Sequence, residues 1–117
     1  MIRRPIDKRF VAAVLKDEKV TTIRENPWPV GVPIMLYVWT DKPYRSKQHN
    51  IRQVIVEETC RVWIHHHKDG GIYYSHGQLW VTEGFNSAED MAEWFRAVVP
   101  RGQDVPKTLM RFRRIQP

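Results

Sequence analysis

Apolar and polar positions along the 117-residue chain change period several times, and each change marks an element. Phe10, Val11, Val14 and Leu15 follow the i, i+3/i+4 rule, which predicts a short helix capped by Asp7 and running to about Asp17. Lys19–Arg24 is β-branched and predicts a strand. The prolines from Asn26 to Pro33 mark a turn-rich connection, because they cannot donate to a ladder. Ile34–Thr40 is apolar at nearly every position, the pattern of a strand buried on both faces. A polar loop, Asp41–Asn50, leads to a third strand within Ile51–Ile64, centred on Val54–Val56. His65–Gly71 reads as a turn, Ile72–Tyr74 as a short strand, and Gln78–Glu83 as either helix or strand.

The clearest helix follows. Met91, Trp94, Phe95, Val98 and Val99 form one apolar stripe, Asn86 or Ser87 caps it with Glu89 or Asp90 at the third position, and Pro100 and Gly102 end it. Lys107–Ile115 predicts a last strand. The order α-β-β-β-α-β, with short connections, predicts an α+β, mostly β fold: a single domain over residues 1–117, built as a small antiparallel barrel with two or three flanking helices. Trp39, Trp63 and Trp94 are expected in the core.

Composition narrows the setting. Charged residues at 27% and hydrophobic residues at 42% are ordinary for a folded domain. No apolar run approaches the ~20 residues of a membrane helix, and no apolar stretch follows the basic start, so the expectation is a cytoplasmic protein without a membrane partner. One cysteine, Cys60, allows no internal disulfide and no cysteine-based zinc site; it is expected as a small strand residue. His65, His66 and His67 are consecutive, so at most two could share a site, and no carboxylate sits at a diagnostic spacing; a solvated turn, with no metal and no cofactor, is the expectation.

Charge changes the picture more. Nineteen Lys and Arg against thirteen Asp and Glu give a net charge of +6, a field that attracts polyanions. Ten of the nineteen fall in three groups: Arg3, Arg4, Lys8 and Arg9; Lys42, Arg45 and Lys47; Arg111, Arg113 and Arg114. Brought together, they would bind phosphates. Tyr44 beside Lys42 and Arg45 makes the most nucleic-acid-like segment, Trp28 between two prolines could stack on a base or pack the barrel mouth, and Arg111 and Arg113 share a strand face.

Two stretches carry a family resemblance. Lys19–Arg24, followed by Val30-Gly31 and the strand Ile34–Val38, resembles the opening of ASCH domains, where a short helix leads to a Lys/Thr/Arg-bearing strand and then a glycine turn. Glu83-Gly84-Phe85 with Ser87 and the helix Glu89–Val99 resembles the family's later E-G-F segment. The chain departs from the pattern at Asp17 and Glu18, where many members have Gly two residues before the Lys, and at Val20, where Thr is usual; the Asp41–Asn50 loop matches no part of it. The resemblance implies a PUA-like barrel that binds RNA or a modified nucleoside. Some members are amidohydrolases that deacetylate N4-acetylcytidine and others are described as ribonucleases. In the amidohydrolases the active residues correspond to Lys19, Thr22 and Glu83 here, with Arg24 nearby. Chemically, Thr22 would be the nucleophile, Lys19 the base and Glu83 the proton shuttle, which requires a lysine that is partly neutral. Alternation along a strand opposes this trio: Lys19 and Thr22 diverge unless Lys19 lies at the helix-to-strand corner, whereas Thr22 and Arg24 share a face. A regulator that meets an acidic protein partner through charge is the third reading.

Overall fold

The computed structural model describes residues 1–44 and 46–115. Along the chain lie β1 (Ile2–Pro5), a 3-10 turn (Lys8–Phe10) running into α1 (Val11–Leu15), β2 (Thr21–Arg24), β3 (Pro33–Trp39), β4 (Gln48–His66), β5 (Ile72–Tyr74), α2 (Leu79–Glu83), α3 (Ala88–Arg96) and β6 (Asp104–Arg114). The strands form one sheet in the order β1-β3-β4-β6-β2, with β5 pairing to β4 off that path. β1 and β3 run parallel, and the other pairs are antiparallel. The fold is therefore α+β and mostly sheet, with three α-helices among the described residues.

The 19 residues of β4 serve two cores. Val54 and Val56 pack with Ile34, Leu36, Val38, Met110 and Phe112. Val62 and Ile64 pack with Phe10, Leu79, Phe85, Met91, Phe95, Val99 and Leu109. All four β4 residues have even numbers, so a regular strand would send them to one face. The register against β6 slips between Val56 and Glu58, leaving Glu57 as an extra residue that reverses the alternation. β6 makes the matching switch by burying neighbours, Met110 in the first core and Leu109 in the second.

Several expectations are corrected. β1 is an element the apolar pattern did not announce; its hydrogen bonds come from a parallel partner 32 residues away in register, Ile2 on Ile34. β2 starts at Thr21, not Lys19, and β4 takes in both Gln48–Asn50 and the first two histidines. β3 buries one face fully, through Ile34, Leu36 and Val38, while Met35, Tyr37 and Trp39 stay half-buried. Trp63 is exposed and Trp94 half-buried. α3 has its Ser87 cap, with Oγ accepting from the Asp90 N–H at 3.0 Å, but ends at Arg96, so that Val99 is buried and Val98 is not.

Candidate functional site: a polar floor under aromatic walls

Beyond the end of α1, Asp17 lies in the left-handed region (φ 59°), and the N–H groups of Glu18 and Lys19 both donate to the Ala13 carbonyl. The chain then turns, the Val20 N–H donates to the Thr82 carbonyl, and β2 begins. Lys19 thus stands at the helix-to-strand corner, free of the strand's alternation. Its side chain is 3% exposed. Nζ donates to the carbonyls of Thr21 and Glu83, both at 2.8 Å, and lies 3.6 Å from Glu83 Oε1 and 4.5 Å from the centre of the Phe10 ring. Burial pulls the Lys19 ammonium down to about 8; Glu83 opposes that fall and Arg24 adds to it.

Glu83 is the last residue of α2 and is 4% exposed. Beside Lys19, it accepts from the Thr21 hydroxyl at 2.5 Å, and Thr21 in turn lies 3.0 Å from the Thr82 hydroxyl. The following Gly84 is left-handed (φ 84°), and a Cβ there would stand 3.0 Å from Lys19 Cβ and 3.2 Å from Ala13 Cβ. Thr22 is buried, with its hydroxyl accepting from Arg24 Nε at 3.0 Å. Arg24 also donates from Nη2 to the Pro5 carbonyl at 2.8 Å and covers the Trp28 ring at 5.0 Å. Burial lowers its pKa, with Glu83 opposing.

Lys19, Thr22, Arg24 and Glu83 line one cleft of about 370 Å³, whose walls include Phe10, Trp39, Tyr44, Phe85 and Trp94. Tyr44 is 89% exposed with its ring 5.3 Å from that of Trp39. The arrangement offers donors and one carboxylate at depth and aromatic surface above, which suits a flat polar ring. Thr21 is the residue that sequence reasoning missed. It shares strand parity with Ile23, and only the placement of Glu83 at the end of α2 gives its hydroxyl a partner.

The remaining predicted residues separate. Trp28 lies in the first core, its N–H donating to Met110 Sδ at 3.0 Å and its ring under Arg24, so it is no open stacking platform. Lys8 Nζ donates to the Thr40 carbonyl at 2.5 Å, which joins the N-terminal basic group to the loop bearing Lys42 and Lys47, both of them outside the core. Arg45 lies outside the described residues. Arg111 and Arg113 do not reach this cleft; with Arg52, Arg114, Asp17 and Glu57 they line a second one of about 320 Å³. The three basic groups therefore form two surfaces, not one. The histidines divide: His65 and His66 belong to β4, with His66 buried and its Nδ1 2.7 Å from the Val99 carbonyl and His65 paired with Asp104, while exposed His67 opens the turn to Gly71 as expected and pairs with Asp69. Among the described residues no group of three or more His, Cys, Asp or Glu is placed to hold a metal ion, and no helix is long and apolar enough to cross a membrane.

Comparison of the chain with protein-family models, with curated proteins and with solved structures gave no significant match.

Proposed function

We propose that this chain is an ASCH-type, PUA-like barrel domain that binds RNA or a modified nucleoside, with the base in the Lys19–Glu83 cleft. The observation that carries the reading is that buried Lys19 and Glu83 and half-buried Arg24 line one cleft with the rings of Trp39 and Tyr44. Barrel closure is supported by the Arg24–Pro5 bond, which joins the end of β2 to the end of β1, the two outer strands of the sheet. A base edge has both donors and acceptors, and this floor matches it with an ammonium, a guanidinium and a carboxylate. Lys8 and Lys42 draw the phosphates toward the same mouth. Titration with cytidine, N4-acetylcytidine and a short single-stranded RNA, followed by tryptophan fluorescence, is the test. Saturable quenching is expected, and Tyr44→Ala should weaken it about tenfold through lost stacking. No quenching by any of the three ligands at millimolar base concentration would end the reading.

A second reading, amide hydrolysis of an acylated cytidine, is favoured by one observation: Lys19, held at about 8 beside a buried carboxylate, has a neutral fraction at mildly alkaline pH. In this geometry the Thr22 hydroxyl is engaged by Arg24, and the hydroxyl on the carboxylate is that of Thr21. Deacetylation of N4-acetylcytidine, followed by its absorbance change, should be lost in Thr22→Ala if the family-like nucleophile operates. Loss in Thr21→Ala with Thr22→Ala retained would move that role to Thr21. An inert wild-type chain rejects hydrolysis and leaves binding to its own test.

A further inference from the structure

A third cleft, of about 300 Å³, opens beside Thr21, shares Arg111 with the second cleft and shares no residue with the first. Thr59, Cys60 and Leu109 of the sheet and Gln78, Leu79 and Thr82 at α2 line it, together with Glu58 and Arg111, which face each other in register across β4 and β6. Here β4 has no strand partner on one side among the described residues, because β3 pairing stops at Ile55, the Val30 bridge lies at Val56 and β5 pairing starts at Ile64. Cys60 is accordingly exposed, although it sits within a strand. Its Sγ lies 3.8 Å from His76 Nε2. The other ring nitrogen, Nδ1, is 3.1 Å from Ser75 Oγ, which is itself fixed by the Trp63 N–H at 2.9 Å. A nucleophile, a base facing it, and a third group that holds the base in orientation are the parts a reactive thiol needs.

We propose that Cys60 and His76 form a thiol-exchange site that takes a small carboxylate-bearing disulfide in the Thr59–Leu79 cleft. Sγ attacks one sulfur of the incoming disulfide as the thiol proton passes to His76 Nε2. A bond forms between Cys60 and the attacked sulfur, and the incoming S–S bond breaks. The second half leaves as a thiolate and takes the proton back from His76. Cys60 is oxidised to a mixed disulfide and the departing half is reduced to a thiol, so protons and electrons balance. Arg111 supplies the cation for the carboxylate: Arg52, Arg113 and Arg114 of the 320 Å³ cleft are paired with Asp17 or Glu57, whereas Arg111 makes no ion pair among the described residues, although its register partner Glu58 lines the same cleft. Exposure of the site makes the exchange reversible by any free thiol.

Stopped-flow reaction of the folded chain with dithiobis(nitrobenzoate), an anionic disulfide, and with neutral dithiodipyridine tests both parts. The folded protein should react on the order of tenfold faster than the same chain unfolded in urea. His76→Ala should bring the folded rate down to the unfolded one with both reagents. Arg111→Ala should slow the anionic reagent and leave the neutral one unchanged. Cys60→Ser should abolish the reaction and identify the thiol. A folded rate no higher than the unfolded rate, or one that His76→Ala leaves unchanged, overturns the proposal; equal effects of Arg111→Ala on both reagents overturn the role of that arginine. None of these readouts depends on nucleoside binding, so the two readings fail separately.

Discussion

At the scale of single residues, Lys19 is where folding and chemistry oppose each other. Its ammonium is almost fully removed from water, and two carbonyls, a carboxylate and an aromatic face replace that water only in part. The folded-state pKa of about 8 lies below the ordinary 10.5, so the unfolded chain holds this proton over a range in which the folded chain has released it. Stability must then rise with pH between those two values, by about 3 kcal/mol from this residue, and the gain is lost as pH falls back through 8. Tyr74 acts in the opposite direction above pH 10: burial pushes its phenol up to about 12, and stability is lost as the unfolded phenol ionises first. Urea denaturation of the wild type at pH 7.5 and pH 10 isolates the lysine. The same measurement on Lys19→Met/Glu83→Gln, which has no titrating group at this position, supplies the baseline. The wild type should gain stability relative to the double variant across that interval; parallel curves would show that Lys19 does not titrate there.

At the scale of elements, the junction of α2 with the α1–β2 corner holds the site together, and Gly84 is its narrowest point. Glu83 can end α2 beside Lys19 only because the next residue is left-handed and has no Cβ to push Lys19 and Ala13 away. Gly84→Ala meets both obstacles and should cost about 2 kcal/mol or more, read as a lower urea midpoint with an unchanged slope. Stability equal to wild type would mean that the corner gives way easily. The sequence carries part of this arrangement plainly. The Ser87 cap, the Met91–Phe95 stripe and the β-branched strand centres are local signals, and all appear as elements. Thr22 and Arg24 share a strand face by parity alone. β1 could not be read, because Ile-Arg-Arg-Pro has no period and owes its shape to β3. The extra residue at Glu57 left no trace either, since Val-Glu-Glu-Thr looks like a continuous strand, yet it decides which core Val62 and Ile64 enter. His66 is buried for a similar reason: its acceptor, the Val99 carbonyl, arrives from the turn after α3. Thr21 joins Glu83 through contacts made 62 residues apart.

At the scale of the whole molecule, what counts is how the +6 is distributed and how much of it is already paired. Arg9 is tied to Asp90, Arg113 to Glu57, Arg114 to Asp17, Arg96 to Glu89 and Lys107 to Glu25. These pairs lie at or near the surface and hold little energy, but each removes a cation that a phosphate would otherwise meet free. Arg113 and Arg114 are therefore partly offset within their own cleft, where Asp17 and Glu57 face four arginines, while Lys8, bonded among the described residues to a backbone carbonyl, keeps its charge beside the aromatic mouth, close to the loop bearing Lys42. On the proposed function, RNA drawn to the mouth should feel the lysines more than the C-terminal arginines, which lie at the other cleft. If about four phosphates are neutralised, affinity for a single strand falls about fifty-fold between ~50 and ~200 mM salt. Fluorescence anisotropy with a labelled oligoribonucleotide over that range measures the slope directly. Lys8→Glu/Lys42→Glu should flatten it and weaken binding at low salt. Arg113→Glu/Arg114→Glu, the same reversal in number, should change it less, since it acts at the other cleft. If the arginine reversal has the larger effect, the phosphates run across β6 and not past Tyr44, and the proposed track past the aromatic mouth fails.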